Sequence, residues 1–209
     1  MPINSSDFSI IIKIYIGALN LDRQLLNRLD KNLSNGDHGD KICKGLANLF
    51  EIYPNFASVS LSEQFYMLSR IFNDEMEGSM GKIYGYTFYR LSEDLVDVDD
   101  INRQRFAKLL DKACAYIKRI GDCELGDKTV LDAVEVAGIS LRENIGLPIT
   151  RLLNRLVADT KVACDRTALM SPKKYRSTFS AGTVDPGAYS FYLFMDSIYK
   201  FYIKSFRRR

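Results

Sequence analysis

Apolar residues along this chain recur at intervals of three and four, the spacing of one helix face, almost from end to end. Phe8, Ile11, Ile12, Tyr15, Ile16 and Leu19 make the first stripe, and Leu25, Leu26 and Leu29 continue after a polar break. Ser60-x-x-Glu63, a capping box, stands at the head of Leu61, Phe65, Leu68 and Phe72. Further stripes run through Phe106, Leu109, Leu110, Ala113, Ile117 and Ile120, and through Val130, Val134, Ala137 and Leu141. A longer one joins Ile149, Leu152, Leu153, Leu156, Thr160, Ala163 and Thr167. Asp185 then Pro186 reads as the N-cap and first residue of a last helix reaching about Phe206. No stretch alternates with a period of two, so strands are not expected. The pattern predicts seven or eight helices joined by short loops: an all-α, mostly antiparallel bundle making one domain over residues 1–209.

Composition narrows the classes. With 46% hydrophobic and 26% charged residues the chain is not wholly disordered, and its net charge of +3 is too mild to imply nucleic acid. The most apolar run, Phe8 to Leu19, contains Lys13 and falls well short of the ~20 residues that span a bilayer. Asp7 flanks it in place of basic residues, so neither a membrane span nor a secretory leader is expected. Cys43, Cys114, Cys123 and Cys164 form no Cys-x-x-Cys pair, and His38 is the one histidine, which argues against zinc. Buried, reduced thiols in a cytoplasmic protein are the expectation.

Chemistry is concentrated in the polar loops at residues 30–39, 74–81, 121–128 and 171–187, and alternate loops of an up-and-down bundle share one end. The first loop sets Asp30, Asn35 and Asp37 around two glycines and His38, oxygen donors suited to a hard cation such as Mg²⁺, although a solvated turn uses the same residues. In the second, Gly78-Ser79-Met80-Gly81 feeds a helix start that suits a phosphate. In the third, Gly126-Asp127-Lys128-Thr129 leads into Val130, with Asp127 as the expected cap of that helix. Thr183-Val184-Asp185-Pro186-Gly187-Ala188 closes the fourth.

Together these segments resemble the nucleotide-binding (L) subunit of dihydroxyacetone kinases, in family order from residue 27 to 188. Asn27-x-Leu29-Asp30 with Gly36-Asp37-His38-Gly39 is similar to the family's Asp-rich metal loop. Gly78-Ser79-Met80-Gly81-Lys82-Ile83-Tyr84-Gly85 resembles its phosphate loop. Gly126 to Ala133 looks like its Gly-Asp-Lys-Thr-Met-Leu-Asp-Ala segment, and Val184 to Ala188 its final motif. The resemblance implies an eight-helix barrel that holds ADP or ATP through two Mg²⁺ ions at one end. It also implies phosphoryl transfer to dihydroxyacetone on a separate substrate-binding subunit. A free-standing chain of this size resembles the phosphotransferase-system version, in which a phosphohistidine carrier protein rephosphorylates bound ADP in place. A homodimer is left open.

On this resemblance Asp30, Asn35 and Asp37 hold the metal. His38, Gly39, Asp40, Lys41, Gly78, Ser79, Met80, Lys173, Asp185, Pro186 and Gly187 meet the nucleotide, and Val130 with the Gly121 region covers its base. Departures from the family are equally specific. Asn35 replaces the middle aspartate and Lys41 an asparagine. Glu77 and Met80 stand for a glycine and a serine, and Pro172 and Phe179 fall where arginines are expected. Lys173, Lys174, Tyr175 and Arg176 crowd that last segment. Asn35 is a neutral, weaker ligand, and an inward Lys41 would pair with phosphate and partly replace a metal. A second reading is therefore a nucleotide-weakened relative that binds a kinase subunit without catalysis. For His38, the neighbouring carboxylates of Asp30 and Asp37 are expected to favour the imidazolium. The Arg207-Arg208-Arg209 tail reads as favourable charge at a helix C-terminus.

Overall fold

Asn4 opens the first helix with a reciprocal cap: its side chain accepts the Asp7 N–H and the Asp7 carboxylate accepts its own N–H. In the computed structural model, which describes residues 2–76, 78–172, 180 and 182–206, this helix α1 runs unbroken over Ser5–Asp30. The polar break at 20–24 interrupts the stripe and not the helix. The remaining helices are α2 (His38–Ala47), the single turn α3 (Leu49–Ile52), α4 (Leu61–Glu75), α5 (Ser79–Asp94), α6 (Arg103–Gly121), α7 (Val130–Glu143), α8 (Ile149–Arg166) and α9 (Pro186–Phe206). No strand forms among the described residues; one isolated bridge joins Asn4 to Asp100. The described residues form the expected all-α bundle, with eight helices of ten residues or more.

Ser60 and Glu63 make the foreseen capping box on α4. On α7 the cap differs from the expectation. Thr129, not Asp127, is the N-cap, bonded reciprocally with Asp132, while Asp127 Oδ2 turns back to the Glu124 N–H at 2.8 Å. Asp127 sits two residues too early for its side chain to reach the first turn.

Neighbouring helices pack in the cyclic order α1, α2, α4, α5, α6, α7, α8, α9, and α9 returns to α1, which closes a barrel. Fully buried Leu19, Leu26, Ile42, Leu68, Leu131 and Leu152 fill its walls. Inside lie the stacked rings of Phe8 and Phe65, 4.8 Å apart, and of Phe72 and Phe88, 5.2 Å apart, around an apolar cavity of about 120 Å³. Two glycines set the spacing of this wall. A Cβ on Gly39 would stand 2.1 Å from the Arg23 carbonyl oxygen of α1, and one on Gly81 1.8 Å from that of Met76. Backbone therefore meets backbone beside the first two loops. Up-and-down connectivity puts the loops after α1, α4, α6 and α8 at one end. At the other end Ile3 and Ile101 exchange backbone hydrogen bonds of 3.1 and 2.9 Å. No described helix is long and apolar enough to cross a membrane, and all four cysteines are buried thiols.

Candidate functional site

Asp30, the last residue of α1, organises the first loop. Its buried carboxylate accepts through Oδ2 the N–H groups of Gly36 (3.0 Å), Asp37 (3.0 Å) and His38 (3.3 Å), so the loop is wound around one charged oxygen. Asn27, one turn earlier, accepts the Asp40 N–H at 3.0 Å and fixes the start of α2. Asp37 is the N-cap residue of α2 but makes no side-chain cap; its Oδ2 instead holds Lys41 Nζ at 3.0 Å. Asn35 is exposed, and Asp40 points to the outside, paired with Arg23 at 2.5 Å. Asp37, Lys41, Lys44 and Arg23 line an open cleft of about 590 Å³ that reaches Glu75 at the end of α4.

His38 lies on the inner side of the same turn. Its Nε2 is 3.4 Å from Ser190 Oγ on α9, and Ser190 also meets the Tyr84 hydroxyl at 3.2 Å while donating to Gly187 O at 3.0 Å. The expected imidazolium is not favoured here. Burial pushes the His38 pKa down to about 4; Asp37 opposes this, Lys41 adds to it, and desolvation wins. At neutral pH His38 is a neutral ring, and Tyr84 beneath it is held protonated by its own burial.

The other loops arrive around this centre. Gly78, at φ +88°, caps α5 and leads into Ser79 and Met80. Gly121 ends α6 against Cys123 and Ile83. Val130, buried at the head of α7, packs under Gly187. Asp132 Oδ1 accepts the Gly126 N–H at 2.6 Å, holding the third loop against its helix. Lys128, buried in a left-handed backbone conformation, donates to the carbonyls of Ser180 (2.7 Å) and Met170 (3.4 Å). Thr183 accepts from Asn32 at 3.0 Å, which ties the fourth loop to the first. Asp185 and Pro186 start α9 as foreseen, with Asp185 Oδ1 accepting the Ala188 N–H at 2.7 Å. Desolvation raises the Asp185 pKa to about 7; Asp132 and Asp30 add like charge, and the Ala188 N–H and Lys128 oppose them. Glu77, Lys173, Lys174, Tyr175, Arg176, Phe179 and Arg207–Arg209 lie outside the described residues.

The donors expected for two Mg²⁺ ions are thinly supplied for a pair of metals: Asp30 has one oxygen committed to three N–H groups and one without, Asp37 shares an oxygen with the Lys41 ammonium, and Asn35 faces solvent. Among the described residues no three His, Cys, Asp or Glu side chains come close enough to share a metal. The arrangement supplies instead the N-termini of α2, α5 and α9, a cation in Lys41 and a neutral imidazole, a set suited to an anionic ligand. Sequence reading alone does not single out Ser190 or Asp132. Asp132 was findable as the partner of Thr129 in a capping box; Ser190 is one polar position on the buried face of α9, visible only once α1 and α9 are adjacent.

A family profile described as the DAK2 domain matches residues 33–200. The chain is 26% identical over 170 residues to the ADP-binding subunit DhaL of the PEP-dependent dihydroxyacetone kinase 1 of Listeria innocua, covering 81% of this chain and 82% of that one. It is 24% identical to the corresponding DhaL subunit of Escherichia coli, over 85% and 87% of the two chains. The crystal structure of the C. freundii dihydroxyacetone kinase in complex with AMP-PNP and Mg²⁺ superposes with a TM-score of 0.71 at 22% identity, over 91% of this chain and 33% of that longer one.

Proposed function

Because this chain belongs to the DAK2-domain family, we propose that it is the nucleotide-binding subunit of a dihydroxyacetone kinase, carrying ADP and ATP at the loop end of the barrel. The observation that carries this reading is the convergence of the four motif-bearing segments, through Asn32–Thr183, Lys128–Ser180, His38–Ser190 and Tyr84–Ser190, on one end where the helix N-termini of α2, α5 and α9 gather. Those N-termini and Lys41 would face the polyphosphate, and Val130 with the Gly121 region would cover the base. Dihydroxyacetone would be presented by a second subunit, and a phosphohistidine carrier of the phosphotransferase system would restore ATP from bound ADP.

Phosphoryl transfer is helped mainly by positioning and by neutralising charge. In this chain Asp30 holds the loop that aims the α2 N-terminus, and His38 stays uncharged to support it through Ser190. The proton of the sugar hydroxyl would be taken by the substrate-bearing subunit. Mass spectrometry of the native protein after denaturation tests the reading: about one ADP per chain is expected. Protein that carries no nucleotide and binds none on titration would leave the non-catalytic relative as the better description.

A further inference from the structure

Resting on the nucleotide reading, we infer that Lys41 is a resident cation of this site, so that a nucleoside diphosphate binds here with only a weak requirement for divalent metal. The Lys41 ammonium sits 3.0 Å from Asp37 Oδ2, one turn into the helix whose N-terminus faces the loop. A divalent ion bridging that carboxylate to a phosphate would have to sit against the Lys41 ammonium, so the two cations compete for one place. The remaining donors add little, since Asn35 is neutral and exposed and Asp30 has only Oδ1 outside its three N–H bonds. Of the cations lining the adjoining cleft, Arg23 is held by Asp40 and Lys44 lies nearly one turn further along α2, so Lys41 is the one beside the loop.

The pair is also easy to exchange. Both side chains are partly open to solvent, at 29% and 36%, and such a pair within one helix turn is weak. A phosphate oxygen arriving beside Asp37 offers the ammonium a charge-assisted contact with a more highly charged partner. Lys41 can therefore swing from Asp37 to the phosphate, or hold both, without any rearrangement of the backbone.

Calorimetric titration with ADP, in excess Mg²⁺ and in EDTA, separates this from a metal-dependent site. For the unmodified protein, EDTA should weaken ADP binding by less than roughly tenfold. Lys41→Gln should weaken ADP binding in both buffers, by well over tenfold in EDTA, and Lys41→Gln combined with Asn35→Asp should be the most metal-dependent of the three. Both positions are solvent-accessible, and circular dichroism of each variant verifies the fold. The inference is overturned if EDTA abolishes binding to the unmodified protein, or if Lys41→Gln binds ADP in EDTA as well as its parent. No binding in either buffer would instead remove the nucleotide reading, and this inference with it.

Discussion

Asp30 and Asp37 look equivalent as candidate ligands, yet their loss should have very unequal consequences for the fold. Asp30→Ala deletes the acceptor of three backbone N–H groups. The His38 N–H is buried, and leaving such a donor unsatisfied costs about 1–3 kcal/mol. The Gly36 and Asp37 groups are part-exposed, so water replaces the lost oxygen and each contributes about 0.5–1 kcal/mol. Asp30→Ala should therefore destabilise the fold by about 2–5 kcal/mol, and Asp30→Asn by less, because an amide oxygen still accepts. Asp37→Ala loses only a half-exposed pair with Lys41, about 0.3–0.5 kcal/mol. The chain has no tryptophan, so urea unfolding is best followed by helical circular dichroism at fixed slope, with hydrogen exchange at the His38 amide as a local report. Equal destabilisation by the two alanine variants, or an Asp30→Ala cost below about 1 kcal/mol, would refute the anchoring role.

Gly39→Ala places a methyl against the Arg23 carbonyl and should cost about 3 kcal/mol, a Tm drop of roughly 6–12 °C by calorimetry, whereas Gly17→Ala, with open space around it, should be neutral or stabilising. His38 should remain neutral down to about pH 4, read as a single imidazole resonance in an NMR titration. Because its folded pKa lies below the ordinary 6.5, its contribution is fully present above pH 6.5 and is lost as pH falls towards 4, up to about 3 kcal/mol; His38→Gln should flatten that limb of the stability curve. Asp185 has the opposite sign: raised from 3.8 to about 7, it contributes most below pH 3.8 and loses that contribution as pH rises through 7, so Asp185→Asn should gain stability relative to its parent between pH 5 and 8 in urea titrations.

The barrel was legible because apolar spacing and caps act locally. Ser60–Glu63 and Asp185–Pro186 are read within a few residues, and each stands where the residues place it. The polar stretch at 20–24 was harder, since Leu21 is 87% exposed while Asp22 accepts from the Tyr189 hydroxyl at 3.0 Å, so α1 continues on polar contacts to α9 that have no local signature. The site was half legible. Which loops gather could be foreseen from connectivity, but the His38 pKa could not, because it depends on burial against Ser190, 152 residues away. The Asp37–Lys41 pair, an i,i+4 contact over the first turn of α2, is by contrast within reach of spacing alone.

The clasp at the far end of the barrel limits how this chain can be linked to others. Ile3 pairs with Ile101, and the Tyr202 hydroxyl near the end of α9 donates to Pro2 O at 3.0 Å, so the first and last described residues leave the barrel together. From there to the loops is the length of α1, 26 residues or about 39 Å. A fully extended tether needs about twelve residues to run that distance, and a flexible one several times more to do so with any frequency. A small group carried at the tip of a shorter tether is beyond the reach of the same chain's loops. Such a group could act only on the loops of another molecule, with an effect that depends on concentration, whereas a joined domain would have to span the barrel with its own body.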